Sequence, residues 1–331
     1  MRTAPESDVY PAPLRTRAVV TELTGRGALA LTGPDSAELI HGLVTNDVKA
    51  LRPGSGCHAA LLTPKGKMRA ELAVLRLAEE ELFLDCEPSL AAPLLAILSG
   101  YVPFSQSKME DRTASTGVVH LEGPASGDLL AAAGVAEPVG APLSHLATEV
   151  GGVALRVVRV SRAGEEGFDL LSRPDASPRL LDLLAGHGAA RVSREALEAG
   201  RIEAGLPRWG AELDETVLPN EAWLERTAIS YSKGCYLGQE TVARLRTYGH
   251  VNRHLVALLL PIGSGASPGD AVRAGDETVG RVTSAVDSKH RGHRVALAFV
   301  RREHEEPGTV LIVDSPSGTA EGVVAAVPLG R

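Results

Sequence analysis

The order of apolar and polar positions divides the chain into an interleaved α and β part followed by an all-β part. Arg17–Leu23 and Ala28–Thr32 alternate or run apolar between glycines, the pattern of strands. Gly33-Pro34-Asp35 then opens a helix in which Ala37, Ile40, Leu43 and Val44 share a face, with Pro34 suited to its first turn. Cys57–Thr63 and Met68–Leu77 are apolar runs joined by Pro64-Lys65-Gly66-Lys67, which predicts a hairpin. Leu82–Asp85 predicts a further strand, and Pro88 starts a helix to about Leu98. Strand signals recur at Val118–Leu121, Val153–Val160 and Phe168–Ser172, and helical ones at Ser126–Ala133 and Asp175–Ala185. Ser193 is placed to cap a helix over 193–204, which gives way to Gly205-Leu206-Pro207. Residues 209–250 lack clean periodicity, and a stretch that long inside a compact protein usually carries function. Beyond Asn252, short apolar runs such as Leu255–Leu260, Val279–Val286, Val295–Arg301 and Val310–Val313 are divided by Gly, Pro and Asp turns. They predict a small β-barrel. Residues 1–14, Pro-rich and polar, are expected to form an extended arm.

Composition narrows the class. With 331 residues, 44% of them hydrophobic and 23% charged, the chain is a folded globular protein of two or three domains; disordered, collagen-like and coiled-coil classes are excluded. A net charge of −7 argues against direct nucleic-acid binding, so the Arg/His-rich stretch Lys289–Arg302 is read as a solvated strand face. No apolar run reaches the roughly 20 residues of a membrane span, and the N-terminal segment lacks the apolar core of a signal peptide. Cys57, Cys86 and Cys235 are odd in number and widely spaced, which makes no disulfide framework. The expected location is the cytoplasm, with reduced thiols.

Two biases locate the chemistry. Positive charge is carried by 28 Arg and only 6 Lys, so Lys65, Lys67 and Lys233 stand out. Five of the 11 aromatic residues (Trp209, Trp223, Tyr231, Tyr236 and Tyr248) fall within 40 residues. They form either a local mini-core or a surface for a flat ring. Within that stretch, Tyr231-Ser232-Lys233-Gly234-Cys235-Tyr236-Leu237-Gly238-Gln239-Glu240 concentrates Gly, thiol, ammonium and carboxylate. A helix starting at Gln239 would put Cys235 just before its N-terminus, two residues from Lys233. Both features favour a thiolate; the bland alternative is a buried, inert thiol. Metal binding is not expected: there is no Cys-x-x-Cys pair, and His250 and His254 lie among arginines. Gly164-Glu165-Glu166-Gly167 is either a solvated hairpin tip or a turn that offers a carboxylate to the donor edge of a heterocycle.

These residues carry a resemblance. Gly205-Leu206-Pro207-Arg208-Trp209-Gly210, Leu218-Pro219-Asn220-Glu221-Ala222 and Lys233-Gly234-Cys235-Tyr236-Leu237-Gly238-Gln239-Glu240 resemble the YgfZ-type folate-binding proteins, relatives of the glycine-cleavage T-protein, an aminomethyltransferase. Thr45-Asn46-Asp47 and Leu62-Thr63-Pro64-Lys65-Gly66-Lys67 add to it. The resemblance implies an α+β fold: a three-domain cloverleaf of two ferredoxin-like α+β units around a folate channel, plus a C-terminal β-barrel. Residues 1–50 with about 113–195 would form the first unit, 51–112 with about 196–250 the second unit and the motif region, and 251–331 the barrel. It implies tetrahydrofolate or a one-carbon derivative as ligand, with Glu165 on the pterin and Arg201 nearby, Arg194 being the rival. Trp209, Tyr236, Gln239 and Glu240 would line the channel, and Lys67 would meet the anionic tail. Cys235, polarised by Lys233, would be the reactive group. The implied role is support of iron–sulfur cluster assembly or repair, and through it tRNA modification, with iron–sulfur clients or assembly proteins as partners. The T-proteins lack that cysteine and carry a paired Asp after the hairpin, where an acid is needed near the reacting folate nitrogen. Here Ala70 and Glu71 stand at those positions. The longer side chain shifts an acceptor that must come within about 2.6–3.2 Å of its target. Aminomethyl transfer is therefore the alternative expectation, and a non-catalytic RNA- or protein-binding scaffold the third.

Overall fold

The computed structural model describes residues 12–329. Most of the expected extended arm lies outside that range, and its last part is a short helix, Ala12–Thr16, which buries Leu14 completely. The difference has a simple cause: Leu14 has a core to enter, between Leu197 and Ala163.

Two sheets are built from interleaved parts of the chain. The first has six strands in the order Ala190–Arg191, Val19–Glu22, Gly117–Glu122, Gly167–Ser172, Val153–Arg159 and His145–Val150. Helices Ser126–Ala132 and Ser177–Gly186 cover one face, packing Leu130 and Leu184 onto Val119, Leu121 and Phe168. The second sheet has five strands in the order Ser55–Leu62, Met68–Ala78, Glu81–Cys86, Gly27–Thr32 and Lys108–Asp111. Helices Ser36–Leu43 and Ala91–Ser99 cover its outer face with Ile40, Leu94 and Leu98. Gly27–Thr32, grouped with the first unit from sequence, is hydrogen-bonded here between Glu81–Cys86 and Lys108–Asp111. Pairing partners about 50 or more residues away decide its sheet, and no local pattern shows them.

Side chains alternate along a strand, so each sheet has a second face. Val19, Val118, Val158 and Leu171 of the first sheet meet Ala28, Leu75 and Phe83 of the second in one core. Farther along the same face of the second sheet, Ala60, Leu62 and Met68 join Leu213, Leu224, Ala228 and Tyr236 of the motif region and Leu255, Ala257 and Leu297 of the barrel. The helix Arg194–Ala204 runs between these two cores, with Leu197 in one and Ile202 in the other. Its limits follow the sequence: Ser193 Oγ accepts from the amide of Ala196, and Gly205 ends it at φ 72°, a left-handed value that glycine adopts without strain.

The C-terminal part is a closed six-stranded barrel: Arg253–Leu260, His293–Arg301, Glu277–Ser288, Ala271–Ala274, Val310–Ser315 and Gly318–Ala325. Val256, Leu258 and Leu260 fill its interior, and the alternate residues Leu255 and Ala257 dock it onto the motif region. The expected barrel and α+β layers are thus present.

A buried ionic cluster lies between the two sheets. Arg26 Nε and Nη2 donate to Asp85 at 2.7 Å each, and Nη1 to Glu87 at 2.5 Å. Arg162 bridges Asp85 (3.3 Å) and Asp169 (3.2 Å). His120, fully buried, stands 2.7 Å from both Asp169 and Glu122. Glu122 also accepts from the amides of Arg162, Ala163 and Glu165 and from the Ser161 hydroxyl. These partners outweigh burial: the His120 imidazole is held above its usual range, and Glu122 and Asp169 below theirs.

Candidate functional site

The motif segment is laid onto the Pro64–Lys67 hairpin. Gly238 has φ 82°, and a Cβ there would fall 2.5 Å from the Thr63 carbonyl oxygen, so only glycine allows this close path. The helix Gln239–Tyr248 starts directly after it, as expected. Cys235 is exposed, whereas Cys86 is buried and Cys57 largely so; burial pushes both of those thiols up to about 12. Of the three, Cys235 is the most open to solvent.

Lys233 is not aimed at that thiol. Its buried Nζ donates to three backbone carbonyls at the end of the helix Ser36–Leu43: His41, Val44 at 2.6 Å and Asn46 at 3.2 Å. An ammonium has three donors, and all are used. Burial lowers Lys233 to about 8, yet three oxygen acceptors require the protonated form. Spacing along the chain suggested a neighbour of Cys235; the fold makes the lysine a clamp across nearly 190 residues. Tyr236 lies beneath it, with the ammonium 5.0 Å from the ring centroid and the phenol pushed up to about 12 by burial.

The other expected residues are spread around the same lobes. Tyr236 and Gln239 line a small cavity of about 180 Å³ with Tyr231 and Arg246. Glu240 faces solvent and pairs with Arg244 at 3.1 Å. Trp209 is half-buried against both the second sheet's helix-covered core and the motif core. Lys67 Nζ donates to the Thr216 carbonyl at 2.5 Å. Glu165 is buried beside Arg15 (3.1 Å), whose guanidinium also reaches the Gly200 carbonyl and Glu203. Arg201 is buried and held by Glu198, Glu212 and Ser284. Arg194 points away, to the Thr24 carbonyl. Beside Arg201, a cavity of about 540 Å³ opens between Arg208, Ile202 and the barrel strand at Arg281–Ala285.

Sequence reasoning missed a polar row on the inner face of the second sheet. His58 Nε2 lies 2.8 Å from Glu71 Oε1, and His58 Nδ1 lies 3.1 Å from Thr227 Oγ1. Asn46 Nδ2 donates to the carbonyls of both His58 (2.8 Å) and Thr227 (3.2 Å), and its own carbonyl takes the Lys233 ammonium. His58 and Glu71 keep 26% and 20% of their side-chain surface, so this row is open where the ionic cluster is closed. It sits between the two inner cores, where sheets, motif region and long helix converge. The available signal was the hairpin register: Ala60 opposes Glu71, which sets His58 diagonally beside it.

Two interleaved α+β sheets and a docked six-stranded barrel make up the fold, with the polar row on the inner face of the second sheet. Residues 12–233 match the GCVT N-terminal domain and residues 253–329 the glycine cleavage T-protein C-terminal barrel domain. The chain belongs to the glycine-cleavage T-protein family. It is 30% identical to the aminomethyltransferase of Saccharopolyspora erythraea, over 96% of this chain and 88% of that protein. A chloroplastic protein of Arabidopsis thaliana named as a transferase is 28% identical, over 94% of this chain and 71% of its own length. The crystal structure of aminomethyltransferase T from Bartonella henselae superposes with a TM-score of 0.85 at 21% identity, over 95% of this chain and 87% of that one, and shows the same fold. No helix among the described residues is long and apolar enough to cross a membrane.

Proposed function

We propose that this chain binds tetrahydrofolate, or a one-carbon derivative, where its three lobes meet, and handles the one-carbon unit there. The observation that carries the reading is the half-open carboxylate–imidazole row of Glu71 and His58 at that meeting point, in a chain whose relatives are named aminomethyltransferases. A second feature fits an amine-bearing heterocycle: Glu203, buried beside the Arg15–Glu165 pair, has an oxygen, Oε1, with no hydrogen-bond partner among the described residues. A buried acceptor left unpaired costs about 1–3 kcal/mol, and an amino group of a pterin supplies the missing donor. Bound there, the folate supplies the carrier nitrogen; Glu165 and Glu203 orient the ring, and Glu71 accepts or returns a proton.

Aminomethyl transfer is the finer reading that the named relatives favour. A second reading, support of iron–sulfur proteins, rests on the solvent-facing Cys235 in the Lys233–Glu240 motif. Calorimetric titration with tetrahydrofolate tests the shared part: wild type is expected to bind and Glu203→Ala to bind at least tenfold more weakly. No binding by wild type would sink it. The finer readings part on Cys235→Ala. Under iron–sulfur support that variant binds folate normally but fails to sustain cluster enzymes in cells; under aminomethyl transfer it remains active.

A further inference from the structure

The row of Thr227, His58 and Glu71 has a directional hydrogen-bond order that a mere salt bridge does not need. His58 and Thr227 come from segments 169 residues apart, brought together by Asn46 through both of their carbonyls. In a neutral imidazole one nitrogen donates and the other accepts. With Glu71 ionised, Nε2 must be the donor, so Nδ1 accepts from the Thr227 hydroxyl. That leaves Glu71 Oε2 outside the row, on a side chain one-fifth exposed. We propose that His58 and Thr227 are positioning residues for Glu71: they hold Oε1, fix the ring's tautomer, and present Oε2 as the acid–base atom toward the ligand. The inference rests on the folate reading of the same site.

The step balances simply. A proton leaves a cationic ligand nitrogen for Oε2, the bonding pair stays on nitrogen, and Glu71 changes from anion to neutral acid. His58 keeps its Nε2 proton throughout. When the ring gains a second proton at low pH, Thr227 turns from donor to acceptor, and the imidazolium beside Glu71 makes the carboxylate a weaker base. Lys233 from the motif segment and Asp47 reach the row through Asn46, one at its backbone carbonyl and the other by an amide that donates to its side chain, while Cys57 in the same strand packs on the opposite, helix-covered face. The length mismatch at position 71 then has a physical answer: the extra methylene of Glu over Asp is taken up by an imidazole that fixes its far oxygen.

The test is proton-linked calorimetry of tetrahydrofolate binding from pH 5.5 to 8, run in buffers of different ionisation enthalpy. Wild type is expected to exchange protons with the buffer on binding, in a count that changes across this range and so defines a midpoint. His58→Gln keeps a donor toward Glu71 but does not titrate, so it should bind about three- to tenfold more weakly and lose that midpoint. Thr227→Val, which frees the tautomer without removing the ring, should shift the midpoint rather than abolish it. If His58→Gln melts below the assay temperature, His58→Asn replaces it. Wild-type binding with a pH-independent proton count, or a His58 variant with the wild-type curve, overturns the inference while leaving folate binding intact. Absence of any binding by wild type overturns both.

Discussion

Two polar groups face the space inside this molecule and behave oppositely. In the cluster of Arg26, Asp85, Arg162, Asp169, His120 and Glu122 the charges are paired in a continuous chain of hydrogen bonds, with His120, Glu122 and Asp169 buried. In the row of Thr227, His58 and Glu71 the same kinds of groups stop one partner short, with a carboxylate oxygen left over and water within reach. Residue type does not separate structure from chemistry here; closure does. A saturated network has nothing left to offer a ligand, and an unsaturated one remains available.

The sharpest way to break that contrast is to open the closed cluster. Asp169→Ala leaves Arg162 and the buried His120 each one partner short and should cost about 3 kcal/mol, read as a loss in urea-unfolding free energy. Next, Lys233→Met removes the cation under three carbonyls and should cost about 2–3 kcal/mol; it should also weaken folate binding, because Asn46 loses its anchor to the motif segment. The smallest effect is the pH dependence of stability. The raised His120 stabilises fully below its unfolded value of 6.5 and loses that contribution as pH rises through its folded value. The lowered Asp169 and Glu122 stabilise above their unfolded values of 3.8 and 4.5 and lose that contribution as pH falls through their folded ones. The cluster therefore contributes most between pH 4.5 and 6.5. His120→Gln should flatten the alkaline limb of a stability–pH profile and leave the acid limb; an unchanged alkaline limb would show that the closed cluster does not titrate as a unit.

Local signals in the chain were readable where the physics is local. Ser193 and Gly205 bound a helix because cap and left-handed stop act over a few residues. The Pro64–Lys67 hairpin, the turn at Gly164–Gly167 and the alternating barrel strands follow from nearest-neighbour rules of the same kind. What stayed hidden depends on contacts far along the chain. Lys233 looked like the neighbour of Cys235 because they are two residues apart, but its ammonium is drawn to carbonyls from the N-terminal quarter of the chain. His58 carries no signal of its own in the sequence, because Thr227, its partner, arrives from a stretch without periodicity. Glu71 looked like a displaced acid until the hairpin register put an imidazole beside it.

The connection through Thr24–Arg26 has a consequence for how the polypeptide is made. Val19–Glu22 occupies an inner place in the six-stranded sheet, and Gly27–Thr32, five residues later, an inner place in the other. Neither sheet can close while the ribosome has delivered only the first hundred residues, because Val19–Glu22 waits for Gly117–Glu122 and Ala190–Arg191, and Gly27–Thr32 waits for Lys108–Asp111. Such long-range closure slows folding, and the two sheets should mature together late in translation, with the barrel the one lobe free to form on its own schedule.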